Sequence, residues 1–209
     1  MRPIRIAVLA SGNGSNLQAL IDAQVQGGFN GEIGLVFSNR KKAYALERAR
    51  QAGIEALHLS IKDFESAEAF DAALLDLLKA RAIDLIVEAG YLRILSSIVC
   101  DAYAKRIINI HPALLPAFGG DGFYGMHVHQ AVYDSGVKYS GATVHFVTET
   151  IDGGPIILQH AIPLDQDWQP EDIQAAVLKI EHPLVVQAVK LYCDNKLEII
   201  ENRVYIRGE

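Results

Sequence analysis

Asn109, His111 and Asp152 are the side chains of this sequence best suited to move a proton and steady a negative charge. The run Asn109-Ile110-His111-Pro112-Ala113-Leu114-Leu115-Pro116 follows an apolar stretch, and Asp152-Gly153-Gly154-Pro155 comes later. Lys105 to Ile110 reads as a short buried strand that Pro112 and Pro116 cannot extend. Asn109 and His111, two apart, then project to one side of extended backbone. A donor amide beside a titratable imidazole suits a reaction in which an oxyanion forms and a proton moves. The same pattern also fits a capped strand end with a hydrogen-bonded histidine.

A second candidate is Ser11-Gly12-Asn13-Gly14-Ser15-Asn16, between the first strand and first helix. Its glycines let backbone amides face a ligand, and the helix N-terminus favours a phosphate. Leu17 replaces the third glycine of a dinucleotide fingerprint, and the second strand ends Phe37-Ser38-Asn39 with no acidic residue. A single phosphate fits better than NAD, and the lysine of a P-loop is absent. The alternative is a glycine turn that only closes the strand–helix unit. Ala89-Gly90-Tyr91-Leu92-Arg93-Ile94-Leu95 follows the fourth strand, where exposed backbone among apolar side chains suits a flat heterocycle. Arg93 equally fits an ordinary surface arginine. His127-Val128-His129, with His145 and Asp152, lacks structural zinc spacing, and no metal is expected.

The elements that must carry these groups alternate. Strands are expected over Ile4–Ala10, Ile33–Phe37, Ile54–Leu59, Asp84–Val87 and Ile107–Ile110. Helices are expected over Asn16–Gln26 (with Ser15 as N-cap), Ala43–Ala52, Phe64–Ala82 and Ile94–Ala104. Unbroken Val/Ile/Leu strands separated by helices predict an open, mostly parallel sheet covered on both faces. After Pro116 the rhythm changes to a glycine-rich loop, 117–126, and a short helix, Val128–Ser135. Two strands, Ala142–Val147 and Ile156–Ile162, come next. A helix, Pro170–Cys193, kinked or interrupted near Pro183, precedes a terminal hairpin around Glu201-Asn202. No linker or repeat divides the chain. It reads as one α/β domain, 1–209, with an N-terminal half 1–110 and a C-terminal half 111–209.

Composition narrows the classes. Half the residues are hydrophobic and 21% are charged, a globular balance. A net charge of −6 argues against general nucleic-acid binding. No apolar run is long enough to span a membrane, and none near the N-terminus resembles a secretory signal. Two cysteines fit a reducing, cytoplasmic setting; Cys100 reads as core and Cys193 is compatible with an exposed position.

Taken together, Ser11 to Gln18, Asn109 to Pro116, His145-Phe146-Val147 and Asp152 to Pro155 resemble the phosphoribosylglycinamide formyltransferases, from Ile4 to about Glu181. The resemblance implies a Rossmann-like fold whose sheet becomes mixed in the C-terminal half. It implies 5-phosphoribosylglycinamide and 10-formyltetrahydrofolate as substrates in purine biosynthesis. Asn109, His111 and Asp152 match the catalytic trio, with a protonated His111 kept charged by Asp152. Gly14, Ser15 and Asn16 match the phosphate cradle, and Glu181 a contact to the glycinamide substrate. Leu92, Arg93, Ile94 and Leu95, with Asn109, match the folate site. A monomer or homodimer without nucleic-acid or membrane partners is implied.

Three positions depart from the family pattern. Ala67 stands where some members carry arginine, Leu178 where a polar or basic residue is common, and loop 117–126 is longer than in the shortest relatives. These departures bear on ligand affinity. Formyltetrahydrofolate hydrolases and methionyl-tRNA formyltransferases share the trio but carry further domains. A non-enzymatic nucleotide-binding module explains the glycine loop but not the trio.

Overall fold

The computed structural model describes residues 2–208. Seven strands form one sheet: β1 (Ile4–Leu9), β2 (Gly31–Ser38), β3 (Ala56–His58), β4 (Leu85–Glu88), β5 (Ile107–His111), β6 (Tyr139–Phe146) and β7 (Ile156–Pro163), in the order β3-β2-β1-β4-β5-β6-β7. β1 pairs in parallel with β2 and β4, and β2 with β3, whereas β6 and β7 are antiparallel. The mostly parallel sheet with a mixed C-terminal part agrees with the strand composition. Chain contacts cluster into two compact units, Met1–Ile108 and Asn109–Glu209.

In the first unit the helices are α1 (Ser15–Val25), α2 (Tyr44–Gln51), α3 (Ala67–Ala80) and α4 (Ser97–Ala102). Ile6, Val8, Leu9, Leu35, Phe37 and Leu85 are fully buried. Each such aliphatic side chain contributes about 1.5–3 kcal/mol over an exposed one. Phe37, Phe70 and Tyr91 pack with centroid separations of 6.1 and 6.3 Å, and Phe64 meets Phe70 edge-on at 5.5 Å.

Helices α1, α3 and α4 start differently from expectation for identifiable reasons. Gly14, in the left-handed region at φ 76°, takes the cap of α1, so Ser15 is its first helical residue and not its cap. Helix α3 begins at Ala67, not Phe64, because Ser66 accepts the Ala69 N–H at 3.1 Å. Helix α4 covers only six residues of the expected Ile94–Ala104, because the Ser96 N–H is taken by Asp71 outside any helix.

In the second unit α5 (Met126–Ser135) and α6 (Pro170–Cys193) accompany β6 and β7. Gln169 and Asp172 form a reciprocal capping box at the start of α6. The helix is not interrupted at Pro183 but continues through it, forgoing one backbone donor. Cys193 is buried rather than exposed, on the inward stripe of α6 with Val185 and Val189. The terminal hairpin comprises β8 (Leu197–Ile200) and β9 (Arg203–Ile206). Among the described residues no helix is long and apolar enough to cross a membrane.

Candidate active site

Thr143, fully buried on β6, fixes the chain just after β5. Its hydroxyl donates to the Ala113 carbonyl at 2.7 Å and accepts the Leu115 N–H at 3.1 Å. Asn109 and His111, on β5, are thereby presented on a braced strand end. Asp152 arrives from the β6–β7 turn in a left-handed conformation, φ 52°. Gly154 permits that turn, since a Cβ there would lie 1.8 Å from the Phe146 carbonyl oxygen.

The turn brings the three candidates together. Asp152 Oδ2 lies 3.6 Å from His111 Nδ1, and Oδ1 lies 3.6 Å from His145 Nε2. His145 is 1% exposed and bridges the remaining gap. Its Nδ1 is 2.9 Å from the Phe146 carbonyl, and because a carbonyl only accepts, that nitrogen carries the hydrogen. Its Nε2 lies 3.2 Å from the Asn109 side-chain amide. Asn109, His145, Asp152 and His111 form one continuous polar chain.

The glycine-rich loop closes it. His111 Nε2 donates to the Phe118 carbonyl at 2.7 Å, and the Gly120 N–H donates to Asp152 Oδ2 at 2.9 Å. With Nε2 holding its hydrogen, the Nδ1 that faces Asp152 is the nitrogen able to take up a proton.

Electrostatics correct one expectation. Burial of His111, which is 4% exposed, pushes its imidazole below the ordinary histidine pKa. Asp152 and the Phe118 carbonyl act in the opposite direction without prevailing, and His145 adds to the lowering. Desolvation outweighs the carboxylate, which favours the neutral imidazole in the folded protein over the charged one expected from the sequence. Burial works to raise the Asp152 carboxyl, but His145, His111 and the Gly120 N–H together hold it below the usual carboxylate range. An ionised acceptor facing a neutral imidazole is arranged to draw a proton to Nδ1 as one is released nearby.

The other sequence candidates fall in two places. In the first unit, the Ser11 hydroxyl donates to Asn39 Oδ1 at 2.6 Å and accepts the Leu92 N–H at 2.9 Å. The glycine loop and the Leu92–Leu95 segment are thus tied together. Arg48, on α2, donates to the Asn13 carbonyl, Asn13 Oδ1 and Gln18 Oε1 at 2.9, 2.9 and 3.0 Å. No side chain caps α1 at Gly14, and the positive end of a helix dipole in general favours an anion. The Arg93 guanidinium is held by Asp71 and stacks on Phe70, which makes it neither an ordinary surface arginine nor a free anion receptor. In the second unit, Glu181 is buried on α6.

His127 is exposed against Tyr124, while His129 is buried; among the described residues no group of three or more His, Cys, Asp or Glu is placed to hold a metal ion. Sequence reasoning gave His145 no role in the site. Its signals were its part in the His145-Phe146-Val147 motif and its place on a strand that runs into the Asp-Gly-Gly-Pro turn.

Comparison with known proteins agrees with this geometry. A family model described as "Formyl transferase" matches residues 4–189. Phosphoribosylglycinamide formyltransferase of Escherichia coli (strain K12) is 41% identical over 206 residues, covering 99% of this chain and 95% of that protein. The crystal structure of glycinamide ribonucleotide transformylase 1 from Symbiobacterium toebii matches with a TM-score of 0.93 at 43% identity, over 98% of this chain and 94% of that one. A formyltetrahydrofolate deformylase from Pseudomonas syringae pv. tomato matches at 0.88, with 25% identity over 98% of this chain and 66% of that one. The family model and these relatives, matched over nearly the full length of the chain, place it in the formyl transferase family, among the phosphoribosylglycinamide formyltransferases.

Proposed function

We propose that this protein transfers a formyl group from 10-formyltetrahydrofolate to the amine of 5-phosphoribosylglycinamide, giving formylglycinamide ribonucleotide and tetrahydrofolate in purine biosynthesis. The observation that carries this reading is Asp152, half-buried and placed between His111 and His145 while Asn109 hydrogen-bonds His145. The amine attacks the formyl carbon, and the carbonyl oxygen becomes an oxyanion. Asn109, with one N–H given to His145, donates its second to that oxygen. Neutral His111 receives the proton lost by the amine at Nδ1, and Asp152 stabilises the resulting imidazolium. When the tetrahedral intermediate collapses, the folate nitrogen leaves and takes that proton, so His111 returns neutral.

In this reading Gly14, Ser15 and Asn16 hold the phosphate, Glu181 contacts the glycinamide substrate, and Leu92, Arg93, Ile94, Leu95 and Asn109 form the folate site. Arg93 contributes through the backbone it fixes. The chain works as one formyltransferase domain, a monomer or homodimer in the cytoplasm, on small molecules and without a metal. Mixing the protein with 10-formyltetrahydrofolate, with and without phosphoribosylglycinamide, tests it through the folate absorbance change. Product formation only when both are present is expected. Equal deformylation without phosphoribosylglycinamide would make the protein a hydrolase, and no reaction in either mixture would make it a binding module.

A further inference from the structure

We infer that Asp71 is a positioning residue for the formyl donor, acting through the segment Leu92–Leu95. The inference rests on the folate assignment above. Asp71 is 1% exposed, on the face of α3 that otherwise carries Phe70, Leu74, Leu75 and Leu78. A carboxylate there is costly unless it is paired, and an apolar residue would serve packing as well. Its two oxygens have separate partners. Oδ1 accepts from Arg93 Nη2 at 3.2 Å, and Oδ2 accepts the Ser96 backbone N–H at 3.0 Å.

Those partners flank the residues between them. On the near side, the Ser11 hydroxyl takes the Leu92 N–H at 2.9 Å, and the Ser11 N–H donates to the Gly90 carbonyl at 2.9 Å. The Arg93 guanidinium lies 4.6 Å over the Phe70 ring, so its plane is fixed as well as its charge. Between these ties Leu92 and Ile94 remain 40% and 61% exposed. A backbone pinned at both ends, with apolar side chains left in water, is organised for a flat, partly apolar ligand and not for the fold alone. Preorganisation of this kind favours binding by removing the ordering cost at the moment of association.

The test is steady-state kinetics on the full chain, varying each substrate in turn. Asp71→Asn is expected to raise the KM for 10-formyltetrahydrofolate roughly tenfold, the worth of one charge-assisted hydrogen bond. The KM for phosphoribosylglycinamide and kcat should stay within about twofold. Asp71→Ala should raise the folate KM further, because the Ser96 N–H also loses its acceptor. A paired apolar replacement, Asp71→Leu with Arg93→Met, guards against simple unfolding: it should melt near the wild-type temperature yet keep the raised folate KM. Loss of kcat with both KM values unchanged, or both KM values moving together, would overturn the inference. A wild-type protein that transfers no formyl group would instead overturn the functional reading, and tetrahydrofolate binding by equilibrium dialysis would still report on Asp71.

Discussion

Asp152 Oδ2 lies 3.6 Å from His111 Nδ1, close enough for an ion pair and too long for a hydrogen bond. The same oxygen already accepts the Gly120 N–H at 2.9 Å. The pair is therefore poised rather than formed: it tightens only when His111 acquires a proton at Nδ1. That relation makes the carboxylate a stabiliser of a transient charge, and each expectation below follows from it or from the elements that hold it.

Replacing the carboxylate while keeping its shape isolates the charge. Asp152→Asn should lower kcat by about 10²–10⁴, the scale of a lost acid–base partner. The melting temperature should move little, since the amide can still accept the Gly120 N–H. A variant with wild-type turnover at saturating substrates would remove Asp152 from the chemistry.

Asn109→Ala should reduce turnover by about 10²–10³, the cost of one oxyanion donor. His145→Phe should reduce it less, because the amide is then unguided but still present. Stopped-flow measurement of the folate absorbance gives both values. Equal effects of the two substitutions would mean that Asn109 serves only to anchor His145.

Acidification should weaken both activity and fold. Catalysis needs neutral His111, whose folded pKa lies below the ordinary value of about 6.5, so kcat/KM, corrected for titration of the substrate amine near about pH 8, should be flat above about 6.5 and fall below it. Burial, aided by His111, pushes His129 down to about 4. The unfolded chain then binds a proton that the folded chain refuses, so stability falls between about pH 6.5 and 4. Denaturant titrations across this range should show that loss, and His129→Phe should reduce it, leaving the share contributed by His111 and His182, whose pKa values burial also lowers. Stability that rises on acidification would contradict the sign.

Gly14→Ala should raise the KM for phosphoribosylglycinamide much more than that for the folate. Its φ of 76° disfavours any L side chain, and a Cβ there would sit 2.7 Å from the Ala45 Cβ. The left-handed strain alone costs roughly 1–2 kcal/mol. Parallel increases in both KM values would place the phosphate elsewhere.

How far the sequence carried depended on which forces set each feature. The strands were legible because buried parallel strands are written as unbroken aliphatic runs, and Ile6 to Leu9 or Leu85 to Val87 need no partner to be read. Helix starts were less so, since they depend on distant hydrogen bonds: Asp71 taking the Ser96 N–H shortens α4, and a glycine, not Ser15, caps α1. Asn109, His111 and Asp152 stood out by residue type and spacing, but His145 did not, because its role comes from a bond to its neighbour's carbonyl. The charge of His111 was misjudged for a related reason. The carboxylate is visible in the sequence, whereas the desolvation that outweighs it exists only once β5, β6 and the glycine-rich loop have packed.

The most direct measurement is a ¹⁵N NMR titration of His111 in the wild-type protein and in Asp152→Asn. At neutral pH the wild-type ring should be uncharged, with its hydrogen on Nε2, and should titrate below about 6.5 by protonation of Nδ1. The midpoint should fall further in Asp152→Asn, because the one carboxylate that favours the imidazolium has gone. A wild-type midpoint above 7, or the same midpoint in both proteins, would contradict the account of this proton and of the residue that holds it.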